Sequence, residues 1–206
     1  MELLYGMDPL CGWCFGIGPS IRRVVHDHPD LVVRPVLAGL VTGERVGDYA
    51  EMENYIRQAS QRLLTVTGRA PSQAFFDMIR RPGVKGDSAP PSIAISAVRK
   101  AFPEQVLDFA LRITDAHFAD GADLNDRNTY ALILERMGLT LDLPDLAAIV
   151  LAEAEWKEGR ALGLSSFPSL WLKRHHHQAS PVPLDYDPER LSDNVRRLID
   201  HQAGLQ

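Results

Sequence analysis

The sequence is poor in cysteine, with only Cys11 and Cys14 among 206 residues. A chain of this length can bury roughly 70% of its unfolded surface, so it does not depend on disulfides or metals for its fold. A bridge between two cysteines this close in sequence closes a very small loop, which contributes only about 2 kcal/mol of loop entropy. Stabilisation is therefore a poor explanation for the pair, and a chemical role is a better one.

Long basic runs and long apolar runs are also missing. The chain has 22 Lys and Arg against 27 Asp and Glu, a net charge of −5, so we expect neither nucleic acid nor an anionic membrane as a partner. Apolar stretches such as 147–152 end at a charge, here Glu153, well short of the ~20 residues of a membrane span.

Residues 1–5 lack the basic segment and the apolar stretch of a secretory leader, so the expected location is cytoplasmic. In a reducing cytoplasm, a Cys-x-x-Cys pair is more often catalytic or metal-binding than structural. This expectation favours a redox function for the two cysteines.

The two ends of the chain carry strand patterns. Residues 2–7 predict a strand that turns at Asp8-Pro9 into a helix, and 31–40 predict a second strand, which completes a βαβ unit. After Gly163, residues 169–172 and 180–186 predict a hairpin, followed by a helix that Pro188 opens.

Between these ends, apolar residues recur at helical spacing, with Pro and Gly separating the segments. We therefore predict an α/β protein in which one four-stranded mixed sheet, with the element order βαβ and ββα, is interrupted by an all-helical insertion. The predicted sheet domain is discontinuous, comprising 1–43 and 163–206, and the predicted insertion domain comprises 44–162.

The spacing of the cysteines suggests separate chemical roles. Two residues three positions apart lie on the same side of a helix, so the side chains are neighbours. At the amino end of a helix, free N–H groups and the helix dipole stabilise an anion, which predicts a lowered pKa and a nucleophilic role for Cys11. Cys14 would resolve the mixed disulfide at high effective concentration. Gly12 would leave room for a substrate, and Trp13 would offer it an apolar surface.

Other interpretations of the pair are inert buried thiols or half of a zinc site. His26 and His28 follow the cysteines, but a single intervening residue is fewer than the three to five usual in a Cys₂His₂ site. We expect no metal at the cysteines.

Several further residues carry weaker signals. We expect His175, His176 and His177 to form a solvated hairpin turn. Asp8 could tune the thiols, but Asp before Pro is also an ordinary turn opener. We expect Trp156 and Trp171 in the core, and His117, on a helix, to be structural or exposed; none of the three is expected in the site.

A resemblance to a known family rests on three features together: Cys11-x-x-Cys14 after the first strand, the helical insertion, and Ser-Phe-Pro-Ser-Leu at 166–170. The whole chain resembles the DsbA-like branch of the thioredoxin superfamily, and the resemblance implies a thioredoxin-like fold for the predicted sheet domain. The segment Asp-Pro-x-Cys-x-Trp-Cys-Phe-Gly, which begins at Asp8, is similar to the small protein-disulfide isomerases of that branch.

The resemblance implies further site residues. Pro168 would be a cis-proline that faces the cysteines, and the backbone of Phe167 would be free to pair with an extended substrate. The family usually has Thr where this chain has Ser169. The segment 87–91 (Asp-Ser-Ala-Pro-Pro) resembles a loop that borders the active site.

The expected function is that of a thiol–disulfide oxidoreductase or protein-disulfide isomerase, acting on a protein or small-molecule disulfide or dithiol. No bound cofactor is expected, and glutathione or a thioredoxin system is the expected redox partner. Oxidising relatives often have His where this chain has Trp13, and an uncharged side chain does not stabilise a thiolate electrostatically, so we expect a less oxidising pair. Reductase, oxidase and isomerase activities all remain open.

Two alternatives belong to other classes. Glutathione-dependent transferases and isomerases of the kappa type share the insertion topology, but they generally have Ser in place of the first cysteine and lack the second. A non-catalytic polypeptide-binding module, or holdase, would instead use the apolar surface around Trp13 and keep its activity without either cysteine.

Overall fold

The computed structural model describes residues 1–174 and 179–203; His175, His176 and His177 lie outside the described residues. The strands are β1 (Glu2–Met7), β2 (Val32–Leu37), β3 (Gly47–Asp48), β4 (Lys85–Gly86), β5 (Ser169–Lys173) and β6 (Ser180–Pro181). The helices are α1 (Gly12–Asp27), α2 (Glu53–Thr67), α3 (Gln73–Ile79), α4 (Ala89–Ala101), α5 (Val106–Phe118), α6 (Arg127–Arg136), α7 (Ile149–Ala161) and α8 (Pro188–Ala203).

Four strands form one mixed sheet in the order β2-β1-β5-β6. β1 runs parallel to β2 and antiparallel to β5, and β5 runs antiparallel to β6. This sheet confirms the predicted α/β class and the four-stranded mixed sheet. The last strand is shorter than the predicted 180–186, because proline at 181 and 183 has no N–H to donate to a ladder.

The central strand β1 is buried on both faces. Leu3, Tyr5 and Met7 point into the main core with the apolar faces of α1 and α4, whereas Leu4 points to the other face. Both faces of the sheet are therefore covered. The chain leaves the carboxyl end of β1 inside the core and continues into α1.

Helix α1 continues through a proline that would ordinarily interrupt it. Pro19 has no N–H to donate to the carbonyl of Phe15 one turn earlier. Arg69 supplies the missing donor, with Nη1 at 2.6 Å from Phe15 O, and its guanidinium lies 3.7 Å from the centre of the Phe15 ring. The side chain of Arg69 thus supports the helix that carries both cysteines.

The segment between β2 and β5 is helical, as predicted, with one exception. Gly47 and Asp48 pair with Gly86 and Lys85 in the two-residue ladder β3–β4, so the expectation of an all-helical insertion is wrong at this point. A ladder this short has no apolar alternation to reveal it in the sequence. Among the described residues, no helix is both long and apolar enough to cross a membrane.

Trp156, Trp171 and His117 differ in how far they are buried. Trp156 is buried, as expected, but Trp171 is only half-buried. His117 is buried: Nδ1 lies 3.0 Å from the carbonyl of Ala122, and Nε2 lies 3.1 Å from the Tyr49 hydroxyl. Burial lowers the pKa of His117 to about 4, so this histidine is a neutral structural residue at pH 7.

Candidate active site

The two cysteines lie at the start of α1, just after the turn that connects it to β1. Cys11 has extended backbone angles and is the residue that precedes the helix, and its N–H donates to Asp8 O at 3.0 Å. The backbone N–H groups of Trp13 and Cys14 favour the Cys11 thiolate and help to lower its pKa. The structure therefore places Cys11 at a helix amino terminus and Cys14 within the first turn.

The thiols differ in acidity. The pKa of Cys11 is lowered, first by the hydrogen bond from the Cys14 thiol, against opposing effects of burial and of the Asp8 charge. The pKa of Cys14 is raised, first by burial and then by its interactions with Cys11. Cys11 retains 6% of its exposure, whereas Cys14 retains none. The accessible thiol is thus also the more acidic one.

Phe167 and Pro168 reach the cysteines from the other end of the chain. The Phe167-Pro168 peptide bond is cis, and the carbonyl of Phe167 lies 3.6 Å from Cys11 Sγ although 156 residues separate the two. Phe167 is half-buried and Pro168 is buried. The structure thus brings together the two segments that the sequence analysis paired.

Gly12 and Trp13 lie on the partly open side of the thiols. A methyl group on Gly12 would stand 3.5 Å from Leu63 of α2, so this side has room for a small group. The ring of Trp13 packs on Tyr186 with centroids 5.6 Å apart. Both residues are half-buried, which leaves a surface beside Cys11.

Tyr186 lies near the cysteines, although the sequence analysis did not predict it as a site residue. Its carbonyl accepts a hydrogen bond from Ser20 Oγ of α1 at 2.9 Å, which fixes the segment before α8 against the cysteine helix. The pKa of Tyr186 is raised to about 12, first by burial and then by the nearby charges of Cys11 and Cys14. A lone tyrosine between Asp185 and Asp187 gives no sequence signal for this proximity.

A groove of about 530 Å³ opens beside Tyr186. One wall is the end of α2 and the other is the segment that leads into α8; the lining residues are Val66, Thr67, Leu184, Asp185, Tyr186, Asp187, Pro188 and Arg190. Because Tyr186 belongs to this groove and also contacts Trp13, the groove adjoins the surface beside Cys11.

Asp8 is fully buried and also opens a turn, since its carbonyl accepts a hydrogen bond from the Cys11 N–H. Its carboxylate accepts hydrogen bonds from Leu40 N at 2.8 Å, Leu10 N at 3.0 Å and Ser88 Oγ at 3.0 Å. Burial raises the pKa of Asp8 against the effect of these donors. Ser88 belongs to the 87–91 segment, so this segment does border the site. The Asp-Pro turn signal gave no indication of burial.

Tyr5 is a second buried residue that sequence reasoning did not select. It is fully buried on β1, and its hydroxyl donates to the Cys14 carbonyl at 3.4 Å. Its place in an apolar strand pattern predicts core packing and nothing more.

No metal site is evident in the described part of the chain: no group of three or more His, Cys, Asp or Glu side chains could hold an ion there. His26 lies near the far end of α1, about 18 Å along the helix axis from Cys14 by helical rise. The length of the helix thus separates His26 from the cysteines.

The chain matches no protein-family model and no curated protein sequence. Solved structures do resemble it. The cytosolic disulfide reductase DsbM from Pseudomonas aeruginosa is 23% identical with a TM-score of 0.79, and the similarity covers 100% of both chains. The structure of DsbM with GSH gives 21% identity and a TM-score of 0.74 over 97% of this chain and 100% of that one.

Two further structures extend the comparison. A protein assigned as a protein disulfide isomerase from Nitrosomonas europaea is 19% identical with a TM-score of 0.75, over 97% of this chain and 98% of its own. A 2-hydroxychromene-2-carboxylate isomerase is 14% identical with a TM-score of 0.59, over 100% of both chains. These likenesses show that the chain has the DsbA-like thioredoxin fold with a helical insertion.

Proposed function

We propose that this chain is a thiol–disulfide oxidoreductase that reduces or isomerises disulfides through Cys11 and Cys14. The observation that carries the proposal is the difference between the two thiols. Cys11 has a lowered pKa, is slightly exposed and lies at a helix amino terminus, whereas Cys14 is buried and has a raised pKa. An attacking thiol needs the first set of properties, and a resolving thiol held in reserve tolerates the second.

In the proposed reaction, the Cys11 thiolate attacks one sulfur of a substrate disulfide. A bond forms between Cys11 and that sulfur, and the other substrate sulfur leaves as a thiolate and takes up a proton. Cys14 then attacks Cys11 Sγ, which forms the Cys11–Cys14 disulfide and releases the second substrate thiol. The substrate gains two electrons and the protein loses two.

The substrate chain would lie between Phe167 and Trp13. The Phe167 carbonyl accepts from Cys11 Sγ in the reduced protein, and an extended substrate would pair with this backbone once the thiol has reacted. Trp13 and Tyr186 would cover apolar groups next to the substrate sulfur. We propose Gly12, Trp13, Phe167 and Pro168 as substrate contacts, with Tyr186 added to them.

The direction of electron flow follows from what stabilises Cys11. Its low pKa depends on neutral donors, namely a thiol and two backbone N–H groups, and no positively charged side chain contributes a principal effect. Thioredoxin and DsbA differ by about 150 mV, and strong oxidants are those whose reduced form is strongly stabilised. We therefore propose a reductase or isomerase. The name of DsbM, a cytosolic disulfide reductase, agrees with this choice.

Glutathione is the proposed electron donor, with a thioredoxin system as the alternative. DsbM has been solved with GSH, and here the groove beside Tyr186 adjoins the thiols and is large enough for a short peptide. We propose a cytoplasmic location, where a reducing glutathione pool would return the Cys11–Cys14 disulfide to the dithiol.

A second candidate is a glutathione-dependent isomerase of the kappa type, which the similarity to 2-hydroxychromene-2-carboxylate isomerase favours. Such a reaction would need only the side chain at position 11. It gives no role to Cys14, although the hydrogen bond from Cys14 is the main cause of the lowered pKa of Cys11.

Reduction of insulin by glutathione tests the proposal and separates the candidates. The wild-type chain should accelerate insulin precipitation, and reduced Cys14→Ser mixed with insulin in the absence of glutathione should stop after one step with a substrate disulfide-linked to Cys11, visible by mass. Scrambled ribonuclease in the same buffer separates isomerase from reductase. Unchanged insulin reduction in Cys14→Ser would reject the resolving role of Cys14, and a wild-type chain that does not accelerate insulin reduction would leave the glutathione-dependent isomerase as the remaining candidate.

A further inference from the structure

The resolving step poses a problem that the proposed function leaves open. Cys14 has to attack as a thiolate, yet burial raises its pKa. In the reduced protein Cys11 is the thiol beside it, but in the mixed disulfide Cys11 Sγ is bonded to the substrate and carries no hydrogen. Another donor is needed to stabilise the Cys14 anion at that stage.

Tyr5 occupies the position from which such a donor would act. It is the fourth residue of β1, fully buried, and points toward the first turn of α1. Its hydroxyl lies 3.4 Å from the Cys14 carbonyl oxygen, a long hydrogen bond to an acceptor that the helix also uses. The hydroxyl proton can rotate between acceptors, and hydrogen bonding with the Cys14 side chain contributes to the raised pKa of Tyr5.

The other groups that face Cys14 do not provide the same help. Asp8 is an acceptor whose negative charge disfavours a second anion, although its backbone N–H does favour the thiolate. Tyr186 lies on the open side of the thiols, beside Trp13. Tyr5 is thus the buried neutral hydroxyl on the inner side of Cys14.

We propose that Tyr5 is a positioning residue for the resolving step, whose hydroxyl turns from the Cys14 carbonyl to the Cys14 sulfur when that sulfur becomes a thiolate. The inference rests on the proposed function. Tyr5 transfers no proton: the Cys14 proton leaves to solvent, the Cys11–Cys14 bond forms, and the departing substrate thiolate takes up a proton from solvent. Burial and the charges of Cys14 and Cys11 raise the pKa of Tyr5 far above neutrality, which keeps its hydroxyl protonated throughout.

The resolving step can be timed by itself with Ellman's reagent. Attack by Cys11 releases one coloured thiolate and leaves a mixed disulfide, and attack by Cys14 then releases the second. Stopped-flow traces across a pH series give a rate and an apparent pKa for each phase. In Tyr5→Phe the second phase should slow about tenfold at pH 7, with its apparent pKa about one unit higher, because a hydrogen bond to a charged group is lost. The first phase should change little.

Tyr130→Phe is the matched control, since Tyr130 is also fully buried and its hydroxyl donates to a backbone carbonyl, that of Leu124. It should leave both phases at wild-type rates. A second phase in Tyr5→Phe with wild-type rate and pKa would overturn the role of Tyr5. Failure of the proposed function itself gives a different trace, because wild-type protein would then release no second thiolate.

A second substitution covers the case in which Tyr5→Phe does not fold. 3-Fluorotyrosine at position 5 keeps the shape of the ring and makes the hydroxyl a stronger donor. The apparent pKa of the second phase should then fall and its rate at pH 7 should rise. An unchanged profile with 3-fluorotyrosine would count against Tyr5 as firmly as an unchanged profile with phenylalanine.

Discussion

At the scale of single residues, Cys11 owes its acidity first to the thiol of Cys14. The backbone N–H groups of Cys14 and Trp13 add to this effect, and burial and the Asp8 charge oppose it. The two cysteines therefore interact before any disulfide forms, because a substitution at position 14 changes the pKa of the nucleophile Cys11.

This linkage predicts different effects of two substitutions at position 14. Cys14→Ala removes the donor and should raise the pKa of Cys11, whereas Cys14→Ser keeps a donor and should leave the pKa closer to the wild-type value. The pH dependence of iodoacetamide alkylation, followed by mass, measures each pKa, since the rate rises as the thiolate forms. Equal pKa values in the two variants would show that the Cys14 side chain does not stabilise the Cys11 anion.

How much of the site the sequence could reveal also depends on individual residues. The cysteines are a short-range pattern with known chemistry, and Pro168 could be paired with them through a family resemblance. Tyr5 and Tyr186 could not be found in this way, and Asp8 is ambiguous because Asp before Pro also predicts an ordinary turn. Each carries an ordinary local signal, for strand core or turn, and its proximity to the thiols arises only when the chain folds.

At the scale of secondary structure, α1 depends on a side chain from outside it. Arg69 lies between α2 and α3, donates to the carbonyl left free by Pro19, stacks on Phe15 and pairs with Asp115 of α5 at 2.9 Å. One guanidinium therefore joins the cysteine helix to the helical insertion.

Replacement of this guanidinium should weaken the fold. Arg69→Met leaves the Phe15 carbonyl without its donor and removes the stacking interaction, and it should lower the free energy of unfolding by about 2 kcal/mol. Urea denaturation measures the loss. Arg62→Met, at an exposed arginine of α2, removes the same charge and should change the free energy by less than about 0.5 kcal/mol. Similar losses in both variants would mean that charge, rather than the Phe15 contact, decides the effect.

The elements that the sequence predicted well are those with long periodic patterns. β1, α1 and α8 have apolar faces that local patterning shows, and their approximate positions agree with expectation, as does the helical character of most of the segment between β2 and β5. The ladder β3–β4 and the early end of β6 depend on pairing between distant segments and on proline's missing N–H, which apolar periodicity does not report.

At the scale of the whole molecule, burial of a histidine couples stability to pH. His117 has a pKa of about 4 in the folded protein against about 6.5 in an unfolded chain. Between these values the unfolded chain binds a proton that the folded protein does not. The contribution of His117 to the free energy of unfolding is therefore fully present above about pH 6.5 and is lost as the pH falls toward 4.

His117→Gln should remove this dependence. Between pH 7 and pH 4.5 the wild-type free energy of unfolding should include a loss of roughly 2–3 kcal/mol that the variant lacks. The raised pKa of Asp8 acts in the opposite direction, but both proteins contain Asp8, so the comparison isolates His117. Urea titrations at the two pH values provide the measurement, with His201→Gln as an exposed control. Parallel pH profiles for wild type and His117→Gln would contradict the neutral buried histidine.

The sheet, α1 and the segment around Pro168 converge on one pair of thiols, and the central claim is that these thiols exchange reversibly with disulfides. Equilibration of the wild-type chain in graded glutathione buffers, with alkylated thiols counted by mass, tests that claim most directly. The account predicts a shift from two alkylated thiols to none in a single two-electron transition, at a potential more reducing than that of a strong oxidant such as DsbA. Two thiols that remain alkylated across the whole series, without a disulfide or a glutathione adduct, would contradict it.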